Sequence, residues 1–140
     1  MAESEHSGQC LCGAVRFRTS GALRDVIYCH CTQCRRQTGH MVAATASADA
    51  DLTVEGSDQL TWYSASPDAR RGFCRVCGSM LFWKAEGRAS TSIMAGAFER
   101  PTGLKGLIHI FVGDKGDYYA IDDDLPQHEF SSGPTAPTKS

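Results

Sequence analysis

The sequence predicts a mainly β domain of short antiparallel strands organised around cysteine metal sites. Three observations carry that prediction. Short runs that alternate apolar with polar residues, or are simply apolar, recur along the chain, as half-buried and buried strands should. Glycines at 13, 21, 39, 56, 72, 78, 87, 96, 103, 106, 113 and 116 punctuate those runs. All seven cysteines fall in three tight groups rather than being scattered through a core.

Taken in order, Ala14-Val15-Arg16-Phe17-Arg18 alternates apolar with charged residues, and Val26-Ile27-Tyr28 runs directly into Cys29. Met41 to Thr45, Leu52-Thr53-Val54 and Leu60-Thr61-Trp62-Tyr63 are short and bounded by Gly, Ser or Asp. Met80-Leu81-Phe82-Trp83, Ser92-Ile93-Met94 and Leu107 to Val112 complete the series. One short helix is expected from Thr32 to Thr38, with Thr32 as its N-cap. Trp62, Phe73, Phe82 and Trp83 are expected in the core, and His109, inside an alternating apolar run, in a core or backbone-bonded role.

The chain has 140 residues, which suits one domain. Residues 1–8 and 131–140 are small, polar and Pro/Gly-containing, so both read as disordered tails around a zinc-binding β domain at 9–130. A net charge of −2 gives no electrostatic case for a nucleic-acid partner. No apolar run approaches a membrane span and the N-terminus has no signal-peptide h-region, so a soluble cytoplasmic protein is the default expectation. Exposed edge strands in a small β domain leave room for a homodimer.

An odd cysteine count argues against a fully paired disulfide framework, and tight clustering points instead to thiolate metal ligation. C-L-C at 10–12, if on a strand, puts two sulfurs on one face. C-R-V-C-G at 74–78 has knuckle spacing, in which a tight turn aims two thiolates at one ion. Cys10, Cys12, Cys74 and Cys77 thus provide a tetrahedral set of structural zinc ligands. The plainer alternative is a C-x-x-C redox pair with C-x-C a coincidence. In C-H-C-T-Q-C-R, at 29–35, Cys29, Cys31 and Cys34 offer three ligands for a second zinc. His30, between two of them, should point to the opposite face. The fourth position is filled by His40, giving a closed structural site, or is left open for an exogenous ligand, as catalytic zinc sites are.

These segments carry a family pattern. G-Q-C-L-C-G-A-V-R-F, C-H-C-T-Q-C-R-R-Q-T-G and G-F-C-R-V-C-G-S-M-L-F, with the later I-H-I-F-V and D-D-L-P-Q, resemble the glutathione-dependent formaldehyde-activating enzyme family over roughly residues 8–128. The resemblance implies a β-tent fold built around the four-cysteine zinc. It also implies that Cys29, Cys31 and Cys34 are the ligands of a catalytic zinc. The implied reaction joins glutathione, or another small thiol, to formaldehyde to give S-hydroxymethylglutathione, formally a carbon–sulfur lyase run in reverse.

Glutathione carries two carboxylates, so arginines at 35, 36, 70 and 71 are candidate contacts, with Arg35 first because it follows a metal ligand. His30 and His40 are candidate proton carriers for the new hydroxyl. The competing function is a non-catalytic zinc module that binds a protein partner, with both metals structural. A thiol redox enzyme would need a further cysteine beyond Cys77, and the sequence has none.

Overall fold

A computed structural model describes residues 5–131, and its elements follow the predicted strand series closely. They are β1 (His6–Gln9), β2 (Arg16–Thr19), β3 (Val26–Cys29), α1 (Thr32–Thr38), β4 (Val42–Ala48), β5 (Leu52–Glu55), β6 (Leu60–Ser66), β7 (Ala69–Cys74), β8 (Met80–Ala85), β9 (Ser90–Met94) and β10 (Gly106–Ile110). β1, β2 and β5 form a three-stranded antiparallel sheet, while the other seven strands pair in the order β10-β3-β4-β9-β8-β7-β6. Every pairing in the larger sheet is antiparallel except that of β10 with β3. This is the mainly β, tent-like architecture expected: a small sheet leaning on a large one.

The two sheets meet over an aromatic core. Phe17 of β2 and Phe82 of β8 are each 1% exposed, and their ring centroids lie 5.6 Å apart, edge to face. Val15, Leu81, Ile93 and Phe98 pack around them. Truncating Phe82 to alanine would cost about 3–5 kcal/mol, the usual range for emptying a buried aromatic site. Strand pleat decides what lies behind. Ile93 of β9 faces this core, so its neighbours Ser92 and Met94 face the other side of the large sheet.

Three expectations change. The N-terminal tail is shorter than predicted, because His6, Ser7 and Gly8 belong to β1 and pair with β2. Backbone bonds, not apolar burial, recruit this polar segment: Glu99 N–H donates to Ser7 O at 2.8 Å. Gly8 permits the approach, since a Cβ there would sit 2.4 Å from the Ala97 carbonyl oxygen. The remaining tail residues, 1–4 and 132–140, lie outside the described residues. β7 has no counterpart in the predicted series, and Trp83 lines a cleft rather than the core.

The segment after β10 folds back along that strand. His109 N–H donates to Pro126 O, His128 N–H to His109 O and Val112 N–H to His128 O, at 2.9, 2.9 and 3.1 Å. Among the described residues no helix is long and apolar enough to cross a membrane.

Candidate metal centres

Cys10, Cys12, Cys74 and Cys77 converge, with all four sulfurs within 4.8 Å of one another. C-L-C is not on a strand, as the sequence reading had it, but in the bend that follows β1. The two knuckles are built alike. Each ends in a glycine with φ +82°, Gly13 and Gly78, whose N–H turns back to the carbonyl of the first cysteine at 3.3 and 2.8 Å respectively. Side chains other than glycine adopt that backbone only at a cost. Backbone amides then point at sulfur, Val15 N–H to Cys10 Sγ and Val76 N–H to Cys74 Sγ, both at 3.4 Å.

The spacing tests the metal. Four sulfurs about 2.3 Å from one tetrahedral ion lie roughly 3.8 Å apart, and the Cys10–Cys12 and Cys12–Cys74 sulfur separations are 3.7 and 3.8 Å. A disulfide would hold two sulfurs near 2 Å, and all seven cysteines are free. Ser79 joins the knuckles: its Oγ accepts from Leu11 N–H at 3.0 Å and lies 3.2 Å from Cys77 Sγ. That hydroxyl, with the Ser79 amide, lowers the Cys77 thiol to about 5. The set can therefore hold a metal ion, and its chemistry suits zinc.

Cys29, Cys31 and Cys34 form a second convergent set. Cys29 ends β3, and Cys34 is the buried residue of α1. The N-cap of α1 is Cys31, not Thr32, and its Sγ accepts from Cys34 N–H at 3.4 Å. A sulfur that caps a helix in this way is itself stabilised as thiolate. Hydrogen bonds from the Cys29 and then the Cys34 thiol hold Cys31 down at about 2, while the same contact with Cys31 pushes Cys29 far up.

The cluster opens onto a cavity of about 490 Å³ on the face of the large sheet that looks away from the aromatic core. Met80, Trp83 and Met94 line its apolar part, and Arg24, Arg71 and Arg88 against Asp114 supply its charge. In a chain of net charge −2, the cleft is thus locally positive. Arg71, 4% exposed, reaches from β7: Nη1 donates to Cys34 Sγ at 3.6 Å and to Gln37 Oε1 at 3.0 Å, and Nη2 donates to Gln33 Oε1 at 3.0 Å. A guanidinium held in this fork offsets the charge of three thiolates on one divalent ion.

The other predicted contacts fall elsewhere. Arg35 and His40 do not line the cavity. Arg35, next to the buried Cys34, is half-buried on the Tyr119 side of the helix, its Nε enclosed and without a hydrogen-bond partner among the described residues. Arg36 is exposed, and Arg70 sits over the Trp62 ring at 4.5 Å. His40 is exposed with Nδ1 2.6 Å from Tyr118 Oη, and it does not join the sulfur set. Among the described residues, the second set offers three cysteine sulfurs that could hold a metal ion.

His30 turns away from the sulfurs, as expected, into a hydrogen-bonded chain that is buried at His30 and His109 and reaches the surface at Asp123. Its Nδ1 lies 2.5 Å from Tyr119 Oη and its Nε2 2.8 Å from His109 Nδ1, while His109 Nε2 lies 2.9 Å from an Asp123 carboxylate oxygen. Burial, and then the charge of His109, push the His30 imidazole down to about 4. This chain braces the Cys29–Cys31 loop from behind. Arg24, Arg88 and the chain through Tyr119 carry no local sequence signal, because each is placed by pairings distant in sequence.

Comparison with known proteins identifies relatives of the whole domain. The family model described as glutathione-dependent formaldehyde-activating enzyme matches residues 5–114. A Halomonas elongata protein provisionally named as such an enzyme is 31% identical over 128 residues, covering 82% of this chain and 80% of its own. An uncharacterised lyase of Schizosaccharomyces pombe is 27% identical over 116 residues, covering 82% of this chain and 84% of its own. The crystal structure of a Rhodobacter sphaeroides protein superposes with a TM-score of 0.56 at 28% identity, covering 71% of this chain and 97% of that one.

Proposed function

The chain belongs to the glutathione-dependent formaldehyde-activating enzyme family, and from that membership we propose that it is a carbon–sulfur lyase that joins a small thiol, glutathione or a close relative, to formaldehyde. The observation that carries this reading is the second cysteine set: three sulfurs at the floor of an open, positively charged cleft, with His40 engaged elsewhere. Cys10, Cys12, Cys74 and Cys77 would hold a structural zinc, and Cys29, Cys31 and Cys34 a second one. A zinc ion with one free position supplies Lewis acidity that favours the thiolate form of an incoming thiol near neutral pH.

The chain's own residues supply position and charge balance. Arg71 keeps the sulfur set compensated while a further anionic sulfur approaches. The sheet face and its methionines exclude water from one side of the reacting pair and hold it in register. In the addition itself, the thiol sulfur bonds to the carbonyl carbon, the π pair moves to oxygen, and the proton lost by the thiol ends on that oxygen. Nothing is oxidised or reduced. Among the described residues no histidine lines the cavity, so the proton's carriers in this reading are water and the cleft hydroxyls, not His30 or His40.

The test is metal content together with exchange. Protein purified under reducing conditions without chelator should carry two zinc ions per chain, with one perturbed by glutathione. It should also accelerate exchange between formaldehyde and its glutathione adduct, followed by carbon-13 NMR. Two ions indifferent to glutathione, with no acceleration, would overturn the reading.

A further inference from the structure

Behind the second cysteine set, side chains from distant parts of the chain form one hydrogen-bonded run, and its direction follows from its end. That end is Asp123, whose side chain is 45% exposed and whose Oδ1 accepts from Leu125 N–H at 3.1 Å. A carboxylate only accepts, so His109 Nε2, 2.9 Å from Asp123 Oδ2, carries a proton. With both rings neutral, each has one N–H, which leaves His109 Nδ1 bare. His30 Nε2, 2.8 Å away, must therefore donate to it. His30 Nδ1 is then bare in turn and accepts from Tyr119 Oη–H at 2.5 Å. Every donor points towards Asp123, and no ring nitrogen is left unmet. The opposite order needs either a cationic His109 or a partner for its Nε2 other than a carboxylate.

The run reaches the cysteine set through His30. His30 and His109 are 1% and 3% exposed, so water does not replace a bond lost between them. Tyr28 stacks on His109 at 4.9 Å and Tyr119 on His30 at 5.7 Å, which fixes both ring planes. His30 N–H also donates to Ile110 O at 3.0 Å. His30 lies between Cys29 and Cys31 with its ring turned away from their sulfurs, so the position of the ring sets where the two sulfurs point. In the reversed order Tyr119 Oη accepts from His30 and must send its own proton elsewhere. The ring cannot sit identically in the two orders.

We propose that Asp123 and His109 are positioning residues for the three-cysteine set: Asp123 fixes the proton order of the run, and that order holds the His30 ring and with it the Cys29–Cys31 turn. The proposal rests on the metal-binding reading of that set. It is tested on the full chain loaded with zinc, by long-range proton–nitrogen NMR of the histidine rings and by zinc competition with a chromophoric chelator. In the wild type, His30 and His109 should both be protonated at Nε2 and bare at Nδ1. Asp123→Ala leaves water at His109 Nε2, and water either accepts or donates, so both orders should appear at His30. Zinc affinity at the second set should then fall about 10-fold relative to the four-cysteine set, the lower end for loss of an outer hydrogen-bond partner. Asp123→Asn keeps an accepting oxygen and should restore both the tautomer and the affinity. The wild-type spectrum tests the order even if a variant fails to fold. A wild type with His30 protonated at Nδ1, an Asp123→Ala variant with wild-type tautomers, or one whose second-set affinity is unmoved overturns the proposal and leaves the metal reading standing. A wild type that holds zinc at the four-cysteine set alone overturns both.

Discussion

The two cysteine sites use one ligand chemistry in opposite ways. The four-cysteine set joins knuckles 61 residues apart, between Cys12 and Cys74, whereas the three-cysteine set is contained in six residues. By the chain-entropy argument used for covalent cross-links, fixing a loop of about 60 residues removes about 4 kcal/mol of unfolded-state freedom, against about 2 kcal/mol for a loop of six. The first set is saturated by its own thiols and roofed by backbone amides. The second faces an open cleft with Arg71 on its flank. On the function proposed above, ligand separation along the chain, more than ligand type, would divide a fold-holding metal site from a substrate-facing one.

The largest effect should come from breaking the long-range site. Cys74→Ser removes a fully buried ligand and should lower stability by at least about 4 kcal/mol, in the range reserved for lost metal sites. Thermal melts followed by far-UV circular dichroism would show it. Cys31→Ser should lose no more than about 2 kcal/mol of stability yet lose one metal ion per chain. Equal melting losses in the two variants would erase the contrast drawn above. Next comes Arg71→Lys, which keeps the charge but loses the fork to Gln33, Gln37 and Cys34. Metal affinity at the second site should fall about 10-fold, read by competition with a chromophoric chelator, while the first site is unmoved.

The smallest effect concerns the chain behind the second site. The hydrogen bond from His109 holds the Asp123 carboxyl below its ordinary value. A depressed carboxyl contributes stability above its unfolded pKa, and that contribution is lost as pH falls through the folded value. Asp123→Asn should therefore flatten the acid limb of a stability–pH profile, with no change at the neutral end in its slope. A variant as stable as wild type near neutral pH, with the same slope in the acid limb, would show that the contact contributes nothing to the fold.

Much of the fold could be read in advance, because alternating or apolar runs such as Val26–Tyr28 and Met80–Trp83 encode their strands locally. β7 could not. Its Arg70-Arg71-Gly72 run shows no alternation, and it is made a strand by pairing on both sides and by the Trp62 ring lying over Gly72, where a Cβ would meet it at 3.0 Å. Both metal sets were legible from spacing, since knuckles are local. Arg71 was visible only as one of four arginines, and Arg24 and Arg88 not at all. Their place in the cleft comes from strand register, in which Arg71 opposes Trp83 and Trp83 opposes Ser92. Arg35 looked attractive because it touches a ligand in sequence, but a helix sends adjacent residues in different directions.

The separation of the ligands also orders events during synthesis. Cys29, Cys31 and Cys34 leave the ribosome almost together, while Cys77, which completes the other set, lies 43 positions beyond Cys34. At translation rates of about 5–20 residues per second, that is an interval of roughly 2–9 s. During it the nascent chain presents a finished trio of thiols but lacks the far half of its principal cross-link. The trio is therefore the first complete cysteine set to meet the cell's supply of metal and oxidant.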